Sequence, residues 1–272
     1  MVHSQLRGAC PLPSYAMRLL AAKVLPAPIL TWVKTEYYAR SVRTFWEQDL
    51  EPIKALVKFG DLVVDMGANF GWYTNVLSSM VGTEGKVYSI EPIPDTFKVL
   101  SGIVRKLKLR NVTLMNYAVS MSDGTAVMGV PQHEYGGSNF YRAQIGLKKV
   151  ENAAPSLEYK VSVRSIDSLF LDVAPRITFI KCDVEGHELA VVEGGARFLE
   201  IVRPAWLMEV GGDPDEQGTP PHQLFHILRS YGYRVYYFDG KRIHSRPAGH
   251  WSVNYLMLQP HHCRQLTHLM AG

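Results

Sequence analysis

Leu62-Val-Val-Asp-Met-Gly-Ala-Asn-Phe-Gly71, followed by Val87-Tyr-Ser-Ile-Glu91, decides the fold of this chain. The apolar run at 62–64, closing on Asp65, reads as a strand buried on both faces. Gly67 and Gly71 then supply a turn that admits positive φ and close backbone approach, and helical spacing resumes behind it. Residues 87–90 repeat the buried-strand pattern and end on Glu91, twenty residues beyond Gly71. Strand, glycine turn, helix, strand and acid make half of a nucleoside-binding α/β unit. In such a unit the helix start offers free N–H groups to the ligand and the acid accepts ribose hydroxyls.

Outward from this core, strand and helix signals alternate. Strands are predicted at 62–66, 86–91, 112–117, 177–182 and 205–210, and helices at 70–80, 94–107, 188–199 and 221–231. Two final strands, 233–238 and 254–258, joined through Asp239-Gly240, are expected to close the sheet as an antiparallel pair. The fold class is therefore α/β, Rossmann-like, with a mostly parallel seven-stranded sheet flanked by helices. Upstream, residues 14–58 carry helical spacing interrupted by Pro26 and Pro28, after a loose stretch at 1–12. Residues 1–58 are read as a tail and helical extension, and 59–272 as the main domain. An insert at about 121–165 has alternating segments around Tyr135-Gly-Gly-Ser-Asn-Phe140, which predicts a β-hairpin with a long tip covering the substrate.

Composition narrows the classes. Hydrophobic residues at 47% allow a sizeable core, and charged residues at 20% exclude a disordered chain. A net charge of +4 is too mild for a nucleic-acid footprint, so no nucleic-acid partner is expected. Three scattered cysteines, Cys10, Cys182 and Cys263, fit a reducing compartment, and no signal peptide or transmembrane segment is expected. The location expected is cytoplasmic.

The turn also bears on the ligand. Its spacing is Asp-x-Gly-x-Asn-x-Gly, not the G-x-G-x-x-G of a dinucleotide site. Asp65 would repel a pyrophosphate but attract the ammonium of a methionine moiety, so S-adenosylmethionine is favoured over NAD(P) as cofactor. An NAD(P)-dependent oxidoreductase and a non-catalytic nucleoside-binding module are the alternatives.

Three blocks carry a family resemblance: Asp65-Met-Gly-Ala-Asn-Phe-Gly-Trp-Tyr-Thr74, Ser89-Ile-Glu-Pro92, and Ile180-Lys-Cys-Asp-Val-Glu-Gly-His-Glu188 with Glu193-Gly-Gly195. Together they resemble the FkbM family of S-adenosylmethionine-dependent methyltransferases, over about residues 57–240. The resemblance implies a class I methyltransferase fold and methyl transfer to a hydroxyl of a sugar, glycoconjugate or secondary metabolite, a small-molecule or carbohydrate acceptor. It implies that Asp65, Gly67, Ala68, Asn69 and Gly71 line the methionine end and Glu91 the ribose. Ala118, Val119 and Ser120 would lie near the adenine, with Val119 against the ring.

A hydroxyl acceptor must lose a proton, which calls for a nearby base. Asp183, at the end of a parallel strand and so also beside the cofactor, and Glu185 are the leading candidates, with His187 as alternative. Asp183, Glu185 and Glu209 are chemically suitable oxygen ligands for Mg²⁺, but the sequence does not bring the three together, and no metal is expected. His261-His262-Cys263 reads as a polar tail and not a zinc site, and Trp32, Tyr37, Tyr38 and Trp46 as packing for the N-terminal helices.

Overall fold

The two apolar strands flanking the glycine turn lie side by side at the centre of the molecule. A computed structural model describes residues 24–131, 144–145, 156–173 and 176–272. The first helices are α1 (Ala27–Arg43) and α2 (Leu50–Leu56). Pro26 caps α1 and Pro28 sits in its first turn, where a missing N–H is no loss. Then follow β1 (Leu62–Met66), α3 (Trp72–Val81), β2 (Lys86–Ile90), α4 (Pro94–Leu107), β3 (Val112–Met115) and β4 (Ala118–Val119). The insert holds β5 (Gly124–Pro131), β6 (Gln144–Ile145) and β7 (Ser156–Arg164). Next come α5 (Ile166–Phe170), β8 (Ile177–Cys182), α6 (Glu188–Glu193), α7 (Ala196–Ile201), β9 (Ala205–Glu209) and α8 (Pro220–Ser230). The chain closes with β10 (Arg234–Phe238), β11 (Ile243–Ser245), β12 (Asn254–Leu258) and α9 (Pro260–Gln265).

The main sheet runs β11-β10-β12-β9-β8-β1-β2-β3. Strands β3, β2, β1, β8 and β9 are parallel, and β12 lies antiparallel between β9 and β10. The expected seven strands become eight because β11 folds back antiparallel onto β10. Asp239 Oδ1 makes that turn by accepting the Lys241 and Arg242 N–H groups at 2.8 and 2.7 Å. From β1 the chain winds to β2 on one side and later returns to β8 on the other. The carboxyl ends of β1 and β8 are thus a topological switch point, where open α/β sheets bind ligands.

Both faces of the sheet are covered, which explains the continuous apolar runs. Side chains alternate between two cores. Val64, Met66, Ile180, Cys182, Trp206, Met208, Tyr255 and Met257 face α5–α8. Val63, Phe179, Ala205, Leu207, Leu256 and Leu258 face α2, α3 and α9. Each large side chain buried this way contributes about 2–3 kcal/mol. The period of two then puts Asp65, Lys181, Glu209 and Asn254 on the α2–α3 face, all near the strands' ligand end.

Several boundaries differ from the sequence reading. The strand expected at 112–117 ends at Met115, because Asn116 donates to the Glu91 and Pro92 carbonyls at 2.8 and 3.0 Å and turns the chain. Residues 118–119 instead join a second sheet, ordered β4-β7-β5-β6. There β5 and β7 pair antiparallel from Gly124↔Val163 to Pro131↔Ser156, so the hairpin is present. Its glycine-polar stretch, 135–140, lies outside the described residues. The helix expected at 188–199 breaks at Gly194 and Gly195, whose N–H groups close it on the Ala190 and Val192 carbonyls; Gly194 sits so tightly that a Cβ there would stand 2.1 Å from the Ser120 carbonyl oxygen. A new helix starts beyond, anchored by Asp167 accepting the Arg197 and Phe198 N–H groups.

The His261-His262-Cys263 stretch is not a tail. It lies on α9, where buried His262 and Gln259 form a reciprocal cap. Tyr38 stacks on Phe70 at 3.9 Å, as packing required, but Trp32 and Trp46 are 63% and 55% exposed and lie outside the buried core. Beyond α9 the chain returns to the sheet margin: Met270 bridges Ile243, Ile243 N–H donates to Leu269, and Ala271 N–H donates to Ile243. Among the described residues, no helix is long and apolar enough to cross a membrane.

Candidate active site

The glycine turn is built from inside. Gly67 and Ala68 N–H groups both donate to the Ile90 carbonyl, and Asn69 N–H donates to Glu91 Oε2 at 3.0 Å. Gly67, Asn69 and Gly71 have φ of 77°, 49° and 90°. At Gly67 only hydrogen fits, because a Cβ would sit 1.7 Å from the Asp183 carbonyl oxygen on β8's end. Asp65 is buried, and Thr74 donates to its Oδ2 at 2.6 Å; burial raises its pKa to about 6. Glu91 accepts Asn69 N–H on one oxygen and Ile93 N–H on the other, and burial lifts its pKa to about 7. Among the described residues, Asn69 Oδ1 is buried with no partner. The Gly67, Ala68, Asn69 and Gly71 N–H groups are engaged internally, and Asn69 Oδ1 offers an acceptor to a ligand's N–H or O–H.

At the ends of β8 and β9 a charged cluster surrounds Lys181, which is 3% exposed. Its ammonium lies 3.4 Å from Asp183 Oδ2 and 5.2 Å from the Tyr73 ring centroid. Burial would lower its pKa, but Asp183, Glu209, Glu47 and Asp65 outweigh this and hold it above the usual lysine value. Glu209 lies in the same cluster, where burial and then the neighbouring Asp183 charge raise its pKa to about 7. Glu47, from the α1–α2 connection, is likewise raised to about 7 by burial, and Asp49 beside it accepts from Asn254 Nδ2 at 2.8 Å.

The remaining sequence candidates separate. Glu185 adopts φ 55° in the turn after β8. Glu188 turns inward, its Oε1 accepting Val184 and Gly186 N–H groups, and so shapes that turn. His187 Nε2 bonds Ser120 Oγ at 2.8 Å, and burial lowers its pKa. Val119 is buried beside them in the main core. The structure thus joins Asp183 to the Gly67 turn, and His187 to Ser120 on another flank. Among the described residues, no group of three or more His, Cys, Asp or Glu side chains is placed to hold a metal ion. A cavity of about 300 Å³ opens beside Glu188, between Val210, Gly211 and the start of α8 at Thr219 and Pro220.

Lys181, Glu47, Asp49 and Asn254 escaped the sequence reading. Lys181 was legible in principle, as a charge at a position that alternation buries, two residues before Asp183. Glu47 and Asp49 sit in a connection whose path no periodicity fixes.

Sheet order, switch point and glycine turn together define a Rossmann-like class I methyltransferase fold. The chain belongs to the FkbM methyltransferase family, whose domain, described as "Methyltransferase FkbM domain", matches residues 65–235. Over 61 residues it is 34% identical to a protein-L-isoaspartate O-methyltransferase of Ignicoccus hospitalis, covering 22% of this chain and 29% of that protein. The chain thus spans under a third of that curated relative's length. Similar solved structures include methyltransferase FkbM from Methylobacillus flagellatus KT, 16% identical with TM-score 0.46, covering 89% of this chain and 58% of that one. A SAM-dependent methyltransferase from Aquifex aeolicus is 16% identical with TM-score 0.40, covering 78% and 90% of the respective chains.

Proposed function

We propose that the protein is an S-adenosylmethionine-dependent O-methyltransferase acting on a hydroxyl of a sugar, glycoconjugate or secondary metabolite. The observation that carries this reading is the close approach of Asp183, ion-paired to buried Lys181, to the Gly67 turn at the switch point. Asp65, Gly67, Ala68, Asn69 and Gly71 would hold the methionine end, with the unpartnered Asn69 Oδ1 offering an acceptor. Glu91 would take the ribose hydroxyls on its remaining lone pairs, and Val119 and Ser120 would border the adenine. When bound, this cofactor supplies a methyl group activated by a sulfonium.

The chain's own part is to orient the acceptor and take its proton. Asp183 takes the hydroxyl proton, and Lys181 steadies the charge on it. Glu185 stands as the second candidate base. Neutral His187, tied to Ser120, serves the adenine border instead of the acceptor. Residues 1–58 would form an extension to a methyltransferase domain at 59–272, in a cytoplasmic protein without a nucleic-acid partner.

Calorimetric titration with S-adenosylhomocysteine and NADH in parallel tests the cofactor: the first should bind and the second should not. Tight NADH binding with no S-adenosylhomocysteine binding overturns the reading. Asp183→Asn should keep S-adenosylhomocysteine affinity and lose methyl transfer; undiminished transfer would remove Asp183 as the base.

A further inference from the structure

Among the described residues, three buried polar atoms near Lys181 have no hydrogen-bond partner: Glu47 Oε1, the Tyr73 hydroxyl and Asn254 Oδ1. Buried polar groups are nearly always bonded, so three in one cluster mark groups completed by a ligand. Their connection runs through named contacts. Lys181 lies over the Tyr73 ring and within electrostatic reach of Glu47. Asn254 donates to Asp49 and is the register partner of Glu209. Glu47 and Asn254 both lie outside residues 65–235, the span matched by the family domain.

We infer that Glu47, Tyr73 and Asn254 determine acceptor specificity, selecting a molecule that presents several hydroxyl donors and carries no negative charge. The inference rests on the methyl-transfer reading and extends it to the acceptor. Asn254 Oδ1 only accepts, and so does Glu47 Oε1 above its raised pKa of about 7, so there the complementary ligand must donate hydrogens; the Tyr73 hydroxyl can do either. Glu47, Asp49, Asp183 and Glu209 surround a single ammonium. A phosphate or carboxylate on the acceptor would meet like charge there, which discriminates against anionic molecules. A cationic amine would have to desolvate beside the Lys181 ammonium that already holds the centre. A neutral polyol satisfies the orphaned atoms without either cost.

The test uses the full chain with methyl α-glucopyranoside, glucosamine and glucuronate as probes. Each is titrated by saturation-transfer NMR with and without saturating S-adenosylhomocysteine. The glucoside should bind best and glucuronate about tenfold more weakly, the size of one charged hydrogen bond or repulsion. Glu47→Gln keeps an acceptor oxygen and removes charge. It should hold glucoside binding within about threefold and narrow the gap to glucuronate, whereas Glu47→Ala and Asn254→Ala should each weaken the glucoside about tenfold. Circular dichroism checks that the variants fold. Preference for glucuronate or glucosamine, no transfer to any probe, or glucoside binding indifferent to the substitutions overturns the inference. Failure of S-adenosylhomocysteine to bind strikes the methyl-transfer reading instead, because the probes are also titrated without it.

Discussion

Gly67→Ala tests the closeness of β1 and β8 on which the candidate site depends. Two costs add. Gly67 has φ 77°, a region that an alanine enters at about 1 kcal/mol. The new methyl would also lie 1.7 Å from the Asp183 carbonyl oxygen, which is backbone and cannot rotate away. Relief requires parting the two strand ends, where Asp183 N–H donates to the Met66 carbonyl at 3.1 Å. Losing that bond costs about 1 kcal/mol and shifting packed core a further 1–3 kcal/mol. The sum, about 3–5 kcal/mol, is a large part of a domain's usual 5–15 kcal/mol. Gly60→Ala is the control, with φ 88° but nothing within 4 Å of its added methyl, so only the conformational cost of about 1 kcal/mol applies. Urea unfolding followed by tryptophan fluorescence, which reports on fully buried Trp206, gives both values. Equal losses in the two variants would refute the strand-end contact.

Other consequences are as direct. Glu91 has its pKa raised from 4.5 to about 7, so the native state binds its proton more tightly than the unfolded chain. Stability should therefore fall as pH rises from about 4.5 through 7, by up to about 3 kcal/mol from this group, and Glu91→Gln should flatten that slope in urea midpoints. His262 moves oppositely: burial lowers its pKa from 6.5 to about 3, so stability is lost as pH falls through that window. His262→Gln should remove that acid-side slope while costing about 1 kcal/mol at neutral pH through the weakened α9 cap, measured by the same titration. Arg246 makes two hydrogen bonds to Asp215, at 2.9 and 2.7 Å, and lies over the Phe225 and Tyr255 rings. Arg246→Ala should destabilise by about 2 kcal/mol in thermal unfolding, and a loss below about 0.5 kcal/mol would count against the pair.

The sheet was legible because its strands are covered on both faces and therefore read as unbroken apolar runs. Residues 177–182 were found to the residue, and the closing antiparallel pair at 234–238 and 254–258 nearly so. What escaped were features decided by single side chains acting across the fold. Asn116 ends β3 early, Asp239 creates β11, and Gly194, pressed against the Ser120 carbonyl, closes α6. None of these has a periodic signature. In the site, alternation places Asp183 at a strand end, and the glycine spacing locates the turn. Their union at Gly67 is tertiary. So is the approach of Glu209 to Asp183, which needs β9 to lie beside β8. Glu47 reaches the cluster only because α2 packs on the face that Lys181 occupies.

The closing residues have a consequence for handling the protein. By bridging Ile243 through Leu269, Met270 and Ala271, they sheathe the outer margin of β11, whose open amide groups would otherwise invite a neighbouring molecule to add a strand. A truncation ahead of Leu269 would uncover that margin. Aggregation during expression would be the expected symptom.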